Sequence, residues 1–167
     1  MTDSMIEPFL IHNIDHGTGG RIALCRLPGR SGRLAEDIAA IADWEAALVL
    51  SLTEREEAAT YGAGALGDLL AARGIRHLWF PIRDFGTPEA DDAHWPMLAA
   101  ELHGYLDRED ALLVHCLGGK GRSGMIAMRL MVERGLSADD ALGRLRRARP
   151  GAVETGEQEA WAARALA

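Results

Sequence analysis

The chain has 167 residues, 48% of them hydrophobic and 26% charged, with a formal net charge of -7 at pH 7. A chain of this length can bury a full core without staples, and a single domain over residues 1–167 is expected. The negative balance excludes a general nucleic-acid or membrane-surface binder, since both need spread positive charge.

Met1 to Glu7 is polar and acidic, so no secretory leader is expected there. No apolar run approaches the ~18 residues of a membrane span. The two cysteines, Cys25 and Cys116, imply no disulfide framework and suit a reducing compartment. A cytoplasmic protein without stable membrane association is the expectation.

The opening reads as strands at Phe9 to Ile14 and Arg21 to Cys25, joined by the turn from His16 to Gly20. Leu27 to Gly32 is a loop. Apolar residues at 34, 38 and 41 predict an amphipathic helix from Leu34 to Trp44. Ala46 to Leu52 has the length and character of a core strand. Glu54 to Tyr61 and Leu66 to Arg73 read as helices, the second stopped by Gly74.

A second core strand runs from His77 to Ile82. A helix starts between Asp91 and Pro96 and reaches about Asp107; proline is tolerated in a first turn, where amides lack helical partners. Ala111 to His115 is a third core strand. Ser123 to Arg134 is apolar nearly all round and predicts a central, buried helix. Ser137 opens a further helix ending near Arg149, and a last one runs from Thr155 to the end. Arg144, Arg146, Arg147 and Arg149 read as a solvated helix face. Helices following strands predict an α/β fold with a mainly parallel sheet covered on both faces.

The segment from Ala111 to Gly135 builds a strand, a glycine-rich loop and a buried helix. Open α/β sheets place ligands at the carboxyl ends of strands. Glycines at 118, 119, 121 and 124 let backbone N–H groups turn inward as a nest for an anion. The helix N-terminus behind adds donors and the positive end of its dipole.

Cys116 opens the loop and Arg122 closes it, with five residues between them. Such a loop folds around one tetrahedral dianion, held by Leu117, Gly118, Gly119, Lys120, Gly121 and the fork of Arg122. The same positive field favours the Cys116 thiolate, which makes it the candidate nucleophile. His115 is placed to orient the loop, and the Ser123 hydroxyl can stabilise the sulfur as a leaving group. A Walker A loop requires Gly-Lys-Ser/Thr, and here Lys120 precedes Gly121.

His115-Cys116, five residues, then Arg122-Ser123 resembles the signature of the cysteine-dependent protein tyrosine and dual-specificity phosphatase superfamily. The mechanism requires a general acid on a neighbouring loop. Pro81 to Pro88 is similar to the acid loop of the cyclin-dependent kinase-associated phosphatase group, which makes Asp84 the candidate acid. Asp91 and Asp92 are rivals that read as helix-start residues. Arg149 to Gln158 resembles the stretch of the same phosphatases carrying a glutamine over the active site. Gln158 then positions water, or with Thr155 it forms a capping box.

The resemblance implies a four- or five-stranded sheet flanked by helices, no metal and no organic cofactor. It implies phosphomonoester hydrolysis through a phosphocysteine, on a phosphorylated protein or peptide, by a monomer. A phosphoinositide is the alternative substrate, because Lys120 resembles the loop of lipid-directed members. Those carry a second loop lysine where this chain has Leu117. A non-catalytic phospho-binding module is a third reading, although such modules lack the cysteine, the arginine or the acid. A reversible disulfide between Cys25 and Cys116 is also open.

Overall fold

The structure is a computed structural model that describes residues 8–89 and 92–164. The expectations for Met1 to Glu7, for Asp91 and for the last three residues lie outside the described residues. Five strands form one sheet in the order β1-β2-β5-β3-β4. They are β1 (His12–Ile14), β2 (Arg21–Cys25), β3 (Leu48–Ser51), β4 (Arg76–Trp79) and β5 (Ala111–His115). β1 runs antiparallel to β2, and every other pair is parallel. The α/β fold and the mainly parallel sheet are as expected.

Side chains alternate across a strand, so each strand feeds two cores. Leu24, Leu50, Leu112 and Val114 face one side, against α4 (His94–Asp107), α5 (Gly121–Glu133), α6 (Ala138–Ala148) and α7 (Gly156–Ala163). Ala23, Val49 and Leu113 face the other, against α1 (Leu34–Asp43), α2 (Arg55–Thr60) and α3 (Leu66–Ala72). The α5 helix buries Met125 to Met128 and Leu130 to Val132. Each large apolar side chain so buried contributes about 1.5–3 kcal/mol relative to exposure. Among the described residues no helix is long and apolar enough to cross a membrane.

The first strand starts at His12 rather than Phe9 and the next core strand is trimmed to Leu48–Ser51, and two further boundaries differ for a clear physical reason. The second core strand ends at Trp79, not Ile82. Phe80 and Ile82 still donate to Ser51 O and Leu52 O at 2.9 Å each. Pro81 between them has no N–H, so the ladder breaks there. The α5 helix starts at Gly121, two residues before Ser123, which places Arg122 within the first helical turn. Pro96 sits third in α4, in the turn where a missing N–H is harmless.

The two cysteines belong to different cores. Cys116 packs with Leu24, Val114 and Met125, whereas Cys25 packs with Leu27, Ile38 and Ile41 on the opposite face of the sheet. Both thiols are free. Burial pushes the Cys25 thiol well above its ordinary range, so it behaves as a small hydrophobe.

Three histidines are held below their ordinary range chiefly by burial: His16, His77 and His115, the last pushed down to about 4. Their unfolded forms therefore bind more protons than the folded protein between about pH 4 and 6.5. Stability must fall as pH drops through that window. Urea unfolding should become easier from pH 7 to pH 5. In His115→Asn the dependence should be shallower by up to about 1.4 kcal/mol per pH unit. An unchanged slope would mean that His115 is protonated in the folded protein.

Candidate active site

The loop from Cys116 to Lys120 leaves the carboxyl end of β5, the middle strand, and enters α5. Its carbonyls are all held from behind. Cys116 O faces His115 Nδ1 at 3.0 Å. Leu117 O accepts from Leu27 N at 3.1 Å and from Arg30 Nη1 at 3.4 Å. Arg149 spans the next two peptides, donating from Nη2 to Gly118 O at 2.9 Å and from Nε to Gly119 O at 3.3 Å. Lys120 O accepts from Gly124 N and Val153 N at 3.1 and 3.0 Å.

In a trans peptide C=O and N–H point in opposite directions. Carbonyls anchored outward therefore turn the amides of residues 117 to 121 to the loop's other side, where an anion can be cradled. Glycine conformation plays a smaller part than the sequence suggests. Of the four loop glycines only Gly119 is left-handed, at φ 75°. A Cβ there would lie 2.8 Å from Cys25 C and Arg26 N, so the loop rests directly on the end of β2.

Arg122 is 1% exposed and carries the site's fixed positive charge. Its Nη1 and Nη2 donate to Glu57 Oε1 and Oε2 at 2.8 and 2.7 Å, and Nη1 also donates to Ile82 O at 3.0 Å. Burial alone would raise the Glu57 carboxyl, but the Arg122 hydrogen bonds and charge outweigh it and hold it below its ordinary range. Burial alone would lower Arg122, and Glu57 outweighs that too, so the guanidinium stays charged. With the end of the fork taken by Glu57, the remaining edge is formed by Nε and by Nη2, which also lies 3.2 Å from Asp84 Oδ1. Nε is buried and has no hydrogen-bond partner among the described residues.

Cys116 is 3% exposed, and its Sγ lies 3.3 Å from Ser123 Oγ. His115 is fully buried on β5 and reaches Ser51 Oγ through Nε2; Ser51 Oγ in turn contacts His77 Nε2 at 2.7 Å. Asp84 lies on the loop after β4, its side chain 47% exposed, with Oδ1 3.2 Å from Arg122 Nη2. That loop turns sharply: Gly86 N donates to Arg83 O at 2.7 Å, and Phe85 takes the left-handed φ of 60°. An exposed aromatic residue held in that region stores strain of order 1 kcal/mol. Asp92, the rival, instead accepts from His94 N at 2.8 Å as a helix-start residue.

Gln158 is fully buried and uses both ends of its amide. Oε1 accepts from Glu154 N and Thr155 N at 2.9 and 3.3 Å, and Nε2 donates to Gly86 O at 3.2 Å. It caps α7 and ties that helix to the loop that carries Asp84. The Lys120 stem lies against Gly151, with Cδ 3.6 Å from where a Cβ would stand. The exposed Glu154 carboxylate leans over Gly121, where any side chain would collide with it.

Four partners escape a reading of the sequence alone: Glu57, Ser51, His77 and Arg149. Glu57 looks like its neighbours Glu54 and Glu56 on a short helix. Arg149 was one of four arginines read as a solvated face, yet it is buried, because Pro150 and Gly151 turn the chain inward at the end of α6. Its only sequence signal is its place beside that breaker pair. Among the described residues no group of three or more His, Cys, Asp or Glu is arranged to hold a metal ion.

Comparison with known proteins gives the family and the fold. Residues 25–162 match the family described as Swiss Army Knife protein, DSP-PTPase phosphatase domain. Cyclin-dependent kinase inhibitor 3 of Mus musculus is 31% identical over 144 residues, covering 82% of this chain and 67% of that protein. The crystal structure of kinase associated phosphatase, with serine replacing its catalytic-site cysteine, superposes with a TM-score of 0.81 at 26% identity, covering 93% of both chains. PTPMT1 in complex with PI(5)P shares the fold, at a TM-score of 0.74, 18% identity and 93% coverage of each chain. The chain belongs to the DSP-PTPase phosphatase domain family.

Proposed function

We propose that the protein hydrolyses phosphate monoesters of phosphorylated proteins or peptides, on tyrosine or with dual specificity, through a phosphocysteine at Cys116. One observation carries the reading: the buried Arg122 Nε, unpartnered among the described residues, lies in a fork whose far end is fixed by Glu57. Nε offers a phosphate one hydrogen bond beside the inward amides, and Nη2 offers a parallel second once Asp84 Oδ1, 3.2 Å from it here, turns toward the leaving oxygen.

The chemistry follows in two steps. The Cys116 sulfur attacks phosphorus in line, forming the S–P bond as the ester P–O bond breaks. Arg122 and the loop amides stabilise the equatorial oxygens. Asp84 gives its proton to the leaving oxygen. Water then attacks the phosphocysteine, Asp84 takes a proton from it, and the sulfur leaves with the Ser123 hydroxyl hydrogen-bonded to it. Gln158, with its amide engaged on both sides, serves to hold the acid loop against α7.

A peptide substrate is favoured by the surroundings of the loop. Phe85 and Tyr61 are exposed aromatics, and Arg30 links Tyr61 to Leu117 O by stacking on the ring and donating to the carbonyl. Leu117 stands where a second cation would serve a polyphosphorylated headgroup. The relatives whose names refer to kinases support the same substrate class. A panel of phosphotyrosine peptides, phosphoserine/threonine peptides and phosphoinositides tests it; a preference for the lipid would overturn the protein assignment.

Three substitutions test the roles. Cys116→Ser should abolish turnover of an aryl phosphate with the fold intact by circular dichroism; residual turnover would remove Cys116 from the mechanism. Asp84→Asn should lower kcat by about 10²–10⁴ for a leaving group of high basicity. A loss below tenfold would point to another acid. Arg122→Lys keeps the charge but not the fork, and kcat/KM should fall to near background. Near-normal kinetics would refute the bidentate role.

A further inference from the structure

We infer that Ser51 and His77 are positioning residues for Cys116, forming a one-way hydrogen-bond relay that ends on the Cys116 carbonyl and favours the thiolate. The inference rests on the reading of Cys116 as nucleophile. It starts from three contacts across β4, β3 and β5. His77 Nε2 lies 2.7 Å from Ser51 Oγ, Ser51 Oγ meets His115 Nε2, and His115 Nδ1 lies 3.0 Å from Cys116 O.

Hydrogen-bonding capacity fixes the direction of the chain. A carbonyl oxygen only accepts, so His115 Nδ1 carries the hydrogen. Burial keeps the His115 ring neutral at working pH, which leaves Nε2 as an acceptor. The single Ser51 hydrogen must then go to His115. Ser51 Oγ can therefore only accept from His77, whose Nε2 carries a hydrogen in the neutral and in the protonated ring. Every link donates toward Cys116.

The relay lies on the α1–α3 face of the sheet, opposite the packing of the sulfur. It acts by drawing the Cys116 carbonyl back, which sets the Leu117 N–H toward the loop's inner side. Charged groups around it are few. His115 faces His77, Arg122 and Glu57, and His77 faces Arg55 on α2. Ser51 is fully buried and His77 half-buried, so only the second approaches solvent.

The test is the pH dependence of Cys116 alkylation by iodoacetamide, followed by mass spectrometry of its peptide from pH 5 to 9.5. This readout needs no substrate turnover. Relative to wild type, Ser51→Ala and His77→Leu should react about fivefold more slowly at pH 6, converging above pH 9. His77→Gln, which retains an N–H donor, should restore most of the rate. Profiles that coincide with wild type would overturn the relay, as would equal slowing at every pH or a glutamine no better than leucine. If Ser51→Ala fails to fold, the two His77 variants carry the same decision from a half-buried position. Absence of aryl phosphatase activity in the wild type would instead defeat the phosphatase reading.

Discussion

An anion cradle built from backbone amides exists only if the carbonyls of the same peptides are satisfied elsewhere. In this protein five consecutive carbonyls, from Cys116 to Lys120, are held by groups outside the loop. The holders come from four parts of the chain: the loop after β2, β5 itself, the first turn of α5 and the 149–153 segment. The sheet and the C-terminal segment thus fix one set of backbone dipoles. Orientation is determined before any substrate arrives, which is what electrostatic preorganisation requires.

Arg122 depends on the same logic at the level of charge. A guanidinium that is 1% exposed would be costly alone, and breaking such a buried pair typically costs about 3–5 kcal/mol. Glu57 neutralises it and points the remaining edge of the fork. The pair joins α2 to α5 across the carboxyl end of the sheet, and Ile82 O adds the segment that leads from β4 to Asp84. Asp84 is the looser member: half exposed, on a strained turn, and tied to the rest through Arg122 and through Gln158 on Gly86.

The fold was legible because its signals are local. Apolar runs at β3 and β5, the all-round apolar α5 and the Thr155–Gln158 capping box each lie within one segment. The loop was legible for the same reason, since Cys116, Arg122 and Ser123 are neighbours in sequence. Glu57, Ser51, His77 and Arg149 were not, because their importance lies in partners 26 to 65 positions away. Nothing in a helix reading REEAAT separates the glutamate that holds Arg122 from the one beside it. The glycines misled in a subtler way: composition suggested backbone freedom, while the geometry uses three of the four with ordinary φ.

The separation of Cys25 and Cys116 onto opposite faces of the sheet bears on oxidative chemistry. Cys25, the chain's only other cysteine, is itself a free thiol and packs in the other core, so it is not joined to Cys116 in the fold. An oxidised Cys116 sulfur would have to be reduced by a thiol that reaches it from outside its own core. The sheet that turns the loop amides inward thus also keeps the chain's two sulfurs in separate packing environments.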